Sequence, residues 1–221
     1  MADLSKIYDT RFNNTGLLKR DRVWKAICTT YFQKLIPETS SVLDMACGYG
    51  EFINNIKAKE KYGADLNPDA PNYLNSDVVF YHTPATDLLD LIARGSLDIV
   101  FTSNFLEHLR SKEECSLVLE QVLAVLKPGG RFIIMGPNIR YCFAEYWDYY
   151  DHYLPLSHLS LAEGLGIAGF EVTEIIPQFL PYTMNNSTPA HPLLVKAYLA
   201  FPPLWKVMGK QFLVTARKPT K

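Results

Sequence analysis

The stretch VLDMACGYGEF, residues 42–52, joins a short apolar run to a Gly-x-Gly turn. Apolar residues at helical spacing follow, so the pattern predicts a strand, a tight turn and a helix. Two carboxylates flank the turn, Asp44 on the strand and Glu51 directly after Gly50. Both would repel a phosphate bound at the turn. The stretch therefore predicts a ligand that carries positive charge and no phosphate.

The overall composition is that of a globular protein. The 221 residues are 48% hydrophobic and 20% charged, and their formal net charge is −1. Such a charge gives no general attraction to nucleic-acid phosphates, so no nucleic-acid partner is expected. We expect residues 1–221 to form a single cytoplasmic domain, since neither a secretory signal nor a membrane-spanning run is found. The four cysteines contain no C-x-x-C pair, so neither a disulfide framework nor a metal site is expected.

Strand patterns alternate with helical patterns along the chain. This alternation predicts an α/β fold, a three-layer sandwich in which a mostly parallel seven-stranded sheet carries helices on both faces. The seven expected strands are SVLDMA (41–46), KYGADLNP (61–68), VVFYH (78–82), LDIVFTS (97–103), GRFIIMGPN (130–138), FEVTEIIP (170–177) and QFLVTARK (211–218).

Capping signals and apolar periodicity predict helices between the strands. The first covers residues 21–37 of an N-terminal helical segment (1–38) and is opened by Asp21, and the second covers residues 50–61. A third is opened by a Ser111–Glu114 capping box and a fourth by a Ser160–Glu163 box.

The quoted stretch resembles motif I of the class I methyltransferases, written V-L-D-x-G-x-G-x-G, with Ala46 in place of the first glycine. VLKPGGRFII, residues 125–134, is similar to the family's approach to its fifth strand. The resemblance extends from residue 42 to about residue 172. It implies a Rossmann-like fold, S-adenosylmethionine as cofactor and S-adenosylhomocysteine as product. The sulfonium and ammonium groups of this cofactor agree with the carboxylates around the turn.

The resemblance also implies a set of cofactor contacts. Asp44 would hold the amino-acid end of the cofactor. Asp65, on the second strand 17 residues after Gly48, is placed to accept hydrogen bonds from the ribose hydroxyls. Many family members carry an acid where this chain has Pro84, so the backbone near Ala85 would read the adenine instead. The expected cofactor-binding residues are Asp44, Ala46, Cys47, Gly48, Gly50, Asp65, Leu66, Ala85, Thr86, Asp87, Asn104 and Phe105.

Methyl transfer to an oxygen requires an aligned nucleophile and a group that takes its proton. The candidate catalytic residues are His152, in the loop after the fifth strand, and His108, in the SNFLEHL segment. Little-characterised bacterial methyltransferases share the SNFLEHL, DHYLPLS and GKQFLV stretches, and this resemblance implies a small-molecule or saccharide acceptor, with oxygen the expected acceptor atom. The expected substrate-binding residues are Asn138, Tyr141, Tyr146 and His152.

Residues 180–210 form an expected insertion between the last two strands. Its aromatic and aliphatic residues predict a lid over the substrate opening, packing on the core, or peripheral membrane contact through residues 193–208.

Two other functions are considered. A Rossmann-type NAD-dependent oxidoreductase is disfavoured by Ile53, because a dinucleotide-binding turn has a small residue at that position. A non-catalytic methyltransferase-like interaction module is supported only by the departures at Ala46 and Pro84. Binding of S-adenosylhomocysteine, of NAD or of neither distinguishes the three.

Overall fold

A computed structural model describes residues 14–182 and 191–220 of the chain. Seven strands form one sheet in the order β3-β2-β1-β4-β5-β7-β6. The strands are β1 Ser41–Met45, β2 Glu60–Asp65, β3 Val78–His82, β4 Leu97–Ser103, β5 Leu126–Pro137, β6 Glu171–Ile176 and β7 Gln211–Arg217. All seven expected strands are thereby confirmed, with shifts of a few residues at their ends.

The sheet is mixed, which corrects the expectation of a mostly parallel sheet. Strands β1 to β5 pair in parallel, but β7 lies between β5 and β6 and is antiparallel to both. The sequence of β7 is apolar and β-branched, which predicts a strand but not the direction of its pairing. The direction depends on how the preceding connection returns the chain to the sheet.

Six α-helices are present in the described ranges. They are α1 Asn14–Ile27, α2 Lys112–Val125, α3 Phe143–Tyr146, α4 His158–Ile167, α5 Pro192–Ala200 and α6 Trp205–Met208. A π turn, Cys28–Phe32, and a short α-helical segment, Gln33–Leu35, continue α1. Asp21 lies inside α1 and does not cap it; its carboxylate accepts a hydrogen bond from the Asn55 side chain at 2.8 Å.

The helix expected over residues 50–61 was a wrong prediction. Only a 3-10 turn, Ile53–Asn55, separates the glycine turn from β2. The two adjacent asparagines explain the difference, since asparagine side chains compete with helical hydrogen bonds. Asn54 donates to the carbonyl of Tyr73 at 2.8 Å, and Asn55 donates to the carbonyl of Glu51 at 3.0 Å.

The two expected capping boxes have different outcomes. Ser111 caps α2 by accepting a hydrogen bond from the Glu114 backbone at 3.2 Å, which is half of the expected box; the Glu114 carboxylate accepts from the Arg110 backbone at 2.7 Å and not from that of Ser111. Helix α4 begins three residues earlier than expected, because Ser157 and Ser160 form a reciprocal capping box that the Ser160–Glu163 assignment missed.

Apolar side chains cover both faces of the sheet, which confirms the layered α/β architecture. Along β5, Phe132 and Ile134 pack on the face that α2 and α4 cover, while Ile133 and Met135 pack on the face that α1 covers. This alternation follows from the two-residue period of a strand. The α1 face contains an aromatic cluster in which Phe52 stacks on Phe101 with 3.6 Å between ring centroids.

The chain between β6 and β7 joins this same layer. Leu199 of α5 is buried on the α1 face, and Trp205 of α6 meets Phe179 edge to face at 5.2 Å between centroids. Residues 183–190 of the expected insertion lie outside the described residues. In the ranges 14–182 and 191–220, no helix has both the length and the apolar character needed to span a bilayer.

Candidate functional site

A cavity of about 690 Å³ opens at the carboxyl ends of the strands. The loops after β1, β2, β3 and β4 form its walls, together with α1 and the loop of residues 149–153. Open α/β sheets bind their ligands at this edge, where neighbouring connections leave the sheet on opposite faces. The cavity is therefore the candidate functional site.

Most of the expected cofactor-binding residues meet in this cavity. Ten line it: Asp44, Ala46, Cys47, Gly48, Asp65, Leu66, Ala85, Thr86, Asn104 and Phe105. Gly50 and Asp87 do not. At Gly50, φ is +76°, and a Cβ atom would lie 2.4 Å from the Leu74 side chain, so this glycine serves the packing of the turn. Asp87 is exposed on a 3-10 helix, Ala85–Asp90.

The carboxylate of Asp65 organises the glycine turn. One of its oxygens accepts from the Gly48 backbone and the other from the Asn67 backbone, each at 2.7 Å. Two non-glycine residues within the described ranges have a left-handed φ, Ala46 at 58° and Asn104 at 49°, and both line the cavity. Such conformations cost free energy and occur often at functional sites.

Buried carboxylates give the turn its electrostatic character. Asp44 is 4% exposed; burial raises its pKa well above the usual range, and the charges of Glu51 and Asp65 raise it further. Burial also raises the pKa of Glu51, although the nearby Arg20 guanidinium, 2.8 Å away, opposes the shift. A cationic ligand is stabilised in such surroundings.

Arg20 and Trp24 of α1 line the cavity and were missed by the sequence analysis. They lie four residues apart and therefore share one face of a helix. That spacing was visible in the sequence, but nothing in it showed that α1 would lie over the glycine turn.

A second group of titratable residues lines the same cavity. One ligating atom from each of Glu107, His108 and His152 lies within 4.8 Å of those of the other two. Burial raises the pKa of Glu107 to about 7, although the His108 charge opposes this shift. The imidazole rings of the two histidines are 5.0 Å apart between centroids. The three residues form one compact cluster.

The ring of His108 is fixed by Asp151. Its Nδ1 lies 2.9 Å from the backbone carbonyl of Asp151 and 3.2 Å from the Asp151 carboxylate. Burial alone would lower the pKa of His108, but the hydrogen bond to Asp151 and the charge of Glu107 raise it above its ordinary value. Both oxygens can only accept, so Nδ1 carries the hydrogen and Nε2 has the lone pair in the neutral ring.

The expected catalytic and substrate-binding residues separate into two groups. His152 and His108 line the cavity, whereas Asn138, Tyr141 and Tyr146 do not. The amide of Asn138 is buried and lies 2.8 Å from the Pro177 carbonyl. The Tyr146 hydroxyl donates to the carbonyl of Leu154 at 2.7 Å. Tyr141 stacks on the buried His158. The geometry of these three residues gives no support to a substrate-binding role.

Sequence analysis missed Glu107, Tyr149, Asp151, Tyr182 and Gln211, all of which line the cavity. Glu107 directly precedes a histidine that was singled out, which was a usable signal. Gln211 opens a strand, and Tyr182 is the one described residue of the 180–210 segment that reaches the cavity. No sequence pattern marked these two positions.

Comparison with known proteins gives a consistent result. The sequence profile of a family described as a methyltransferase domain matches residues 17–175. Comparison with curated proteins finds no match. The match to the methyltransferase-domain family spans well over half of the chain.

Several of the solved structures with a similar fold are described as methyltransferases. A chain in the complex between the Haloferax volcanii Trm112 methyltransferase activator and a methyltransferase superposes with a TM-score of 0.70 at 18% identity, covering 94% of this chain and 95% of that one. A SAM-dependent methyltransferase from Archaeoglobus fulgidus has a TM-score of 0.62 at 21% identity, covering 88% and 92%. A Bacillus halodurans methyltransferase has a TM-score of 0.62 at 18% identity, covering 90% and 99%. At these identities the structures show a shared fold.

Proposed function

The chain belongs to the methyltransferase-domain family and is a class I S-adenosylmethionine-dependent methyltransferase, and on that premise we propose that it methylates an oxygen of a small-molecule or saccharide acceptor. The observation that carries the proposal is the cluster of Glu107, His108 and His152 in the wall of the cofactor cavity. Methylation of a hydroxyl needs a group that takes its proton, and histidine is suited to this near neutral pH. The family match does not favour the oxidoreductase or the non-catalytic module.

The residues of the glycine turn fit the cofactor. Asp44 faces its cationic amino-acid end, and Asp65 accepts from the ribose hydroxyls while it holds the turn. The side-chain oxygen of Asn104 is buried and has no hydrogen-bond partner within the described residues. A buried acceptor is costly without a donor, and the ammonium of the cofactor would supply one. The backbone at Ala85 and Thr86 reads the adenine.

When bound, S-adenosylmethionine supplies a methyl group on a positively charged sulfur. The chain then has to hold an acceptor oxygen in line with the methyl group and remove its proton. Asp151 fixes the ring of His108 so that Nε2 is the proton-accepting nitrogen. His152 stacks on Tyr149 at 4.8 Å between centroids, which restrains the second imidazole. The two rings form a site at which the acceptor hydroxyl is oriented and deprotonated.

The chain between β6 and β7 has two proposed roles. Residues 191–210 add to the core beside α1, and Tyr182 covers part of the cavity beside the acceptor. Exposed apolar residues on α5 and α6, including Leu193 and Val207, leave peripheral membrane contact as the lesser proposal. We propose that residues 1–221 act as one domain in the cytoplasm.

The assignment is tested by calorimetry with S-adenosylhomocysteine and NAD, followed by an acceptor screen. We expect micromolar binding of S-adenosylhomocysteine and none of NAD. Saccharides, phenols and amines would then be incubated with isotope-labelled cofactor, and the methylated atom located by NMR spectroscopy. Labelling of amines alone would contradict the proposed oxygen acceptor.

The His152→Ala variant is expected to lose about 10²- to 10⁴-fold in kcat, because proton transfer in the transition state contributes that much. Its affinity for S-adenosylhomocysteine should stay within twofold of wild type. His191→Ala is the matched control, since His191 is exposed at the start of α5. Equal kcat for the two variants would remove His152 from the proposed chemistry.

The affinity for S-adenosylmethionine should fall as the pH is lowered from 8 to 5.5. Burial raises the pKa of Asp44, so on acidification its carboxyl is protonated at a higher pH than that of an ordinary aspartate. The neutral carboxyl then attracts the cationic cofactor less. Below that pKa, one linked proton lowers the affinity by up to about tenfold per pH unit. Calorimetry across this range checks the slope, and Asp44→Asn should flatten it. A flat wild-type profile would speak against Asp44.

A further inference from the structure

We propose that Glu107, His108 and His152 bind a divalent transition-metal cation, which in turn holds the acceptor oxygen. This goes beyond the proposed function and rests on it only for the identity of the acceptor. In this arrangement the two histidines would act as ligands and not as bases: the cation would lower the pKa of the bound hydroxyl, and its proton would pass to a water molecule. It also revises the expectation, drawn from the cysteines, that the chain has no metal site.

The geometry of the cluster suits one shared cation. The three ligating atoms lie within 4.8 Å of one another. Ligands bound to one ion at about 2.0–2.2 Å lie roughly 3–3.5 Å apart. The three atoms would therefore have to approach one another by no more than about 2 Å to share one ion.

Asp151 already orients one of the proposed ligands, His108. Metal-binding histidines almost always donate their other ring N–H to a carboxylate or a backbone carbonyl. His108 does both through Nδ1, at 2.9 Å and 3.2 Å from oxygens of Asp151. The hydrogen on Nδ1 leaves Nε2 as the nitrogen that can bind a metal.

The burial of Glu107 favours a positive charge beside its carboxylate, and His108 supplies one only when it is protonated. The residue is 4% exposed, and glutamates are almost never fully buried unless they are paired. Across residues 14–182 and 191–220, no lysine or arginine forms an ion pair with Glu107. A cation bound by its carboxylate would compensate the charge.

An independent observation comes from Gln211, which lines the same cavity and is 3% exposed. Its Nε2 donates to the carbonyl of Pro181 at 2.8 Å, which fixes the orientation of the amide. Its Oε1 is buried and has no hydrogen-bond partner within the described residues. A buried amide oxygen in this state needs a donor, which a water molecule or a ligand in the cavity would supply.

The ligand set indicates the kind of metal. Two imidazoles and one carboxylate suit manganese, iron, cobalt, nickel or zinc, whereas magnesium and calcium prefer oxygen ligands alone. Three protein ligands leave positions open on a six-coordinate ion. Two neighbouring acceptor oxygens could occupy them together. Among the proposed acceptors, this favours molecules that carry a vicinal diol.

The test measures metal binding by protein made without a polyhistidine tag and treated with EDTA. Calorimetry with Mn²⁺, Co²⁺ and Zn²⁺ should give one site per chain. Glu107→Gln, His152→Ala and Asp151→Asn should each weaken metal binding at least about tenfold. The first two remove a ligand, and the third removes the carboxylate that orients His108. The control His191→Ala should bind as wild type. Bound Co²⁺ should also give visible absorption bands.

The proposal is overturned if wild-type protein binds none of the three ions at about 1 mM, or if both ligand variants keep wild-type affinity. S-adenosylhomocysteine binding is measured on the same samples and is expected in every one of them. Its absence from wild type would count against the methyltransferase assignment, so the two failures are distinguishable. If circular dichroism shows that either ligand variant is unfolded, the test is the NMR spectrum of wild-type protein with Mn²⁺. Broadening of the His108 and His152 ring signals would support the proposal, and unchanged signals would overturn it.

Discussion

The Asp65→Asn variant is expected to bind S-adenosylmethionine about 10- to 150-fold more weakly than wild type, a loss of about 1.5–3 kcal/mol. The carboxylate of Asp65 accepts from two backbone N–H groups, of Gly48 and Asn67, in addition to its proposed contact with the ribose. An asparagine has one oxygen, so its NH2 group would face one of these donors. The turn would then be misplaced and the ribose would lose an acceptor.

Calorimetry at pH 8 measures this effect, with circular dichroism to confirm that the variant is folded. Asp87→Asn is the matched control, because Asp87 is exposed and does not line the cavity. If folded Asp65→Asn protein retained wild-type affinity, the ribose would have to lie elsewhere. If Asp87→Asn also bound S-adenosylmethionine more weakly, Asp87 would have to be counted among the cofactor contacts.

The Phe101→Ala variant is expected to lose about 3–5 kcal/mol of unfolding free energy. Phe101 is fully buried on β4, stacks on Phe52 at 3.6 Å and meets Phe32 at 5.1 Å between centroids. The substitution leaves a cavity that rigid neighbouring strands cannot fill. Phe52 also lines the cofactor cavity, so cofactor affinity should decline along with stability.

Urea denaturation measures the loss, and Phe143→Ala serves as the control. Phe143 is 67% exposed, and its removal should change stability by no more than about 0.5 kcal/mol. Similar midpoints for the two variants would show that the aromatic cluster is less important than its packing suggests.

The strands and much of the cofactor site could be predicted because their signals are local. A strand such as LDIVFTS needs only its own apolar pattern, and β4 has the expected bounds. Asp44 and Asp65 stand directly beside a strand end, so the ends of neighbouring strands bring them together. Local sequence is sufficient wherever the sheet itself positions the residue.

Other parts of the site depend on contacts between distant segments. Arg20 reaches the cavity only because α1 lies across the glycine turn, and Gln211 does so through the antiparallel entry of β7. Asn138 and Tyr146, expected as acceptor contacts, do not line the cavity for a related reason. Both follow the fifth strand as expected, but each turns inward to satisfy a buried backbone group. A polar side chain near a site can either contact the ligand or form a hydrogen bond with a buried backbone group, and the sequence does not show which of the two it does.

The strand order has a consequence for how the protein is made. In the sheet, β6 pairs only with β7, and β7 also covers the edge of β5. During synthesis at about 5–20 residues per second, β6 therefore leaves the ribosome before any strand it can pair with exists. Until residue 217 has emerged, β5 and β6 each present unpaired backbone N–H and C=O groups that can pair with another nascent chain. Slower translation across residues 177–210 would lengthen that exposure, and with it the demand for chaperones.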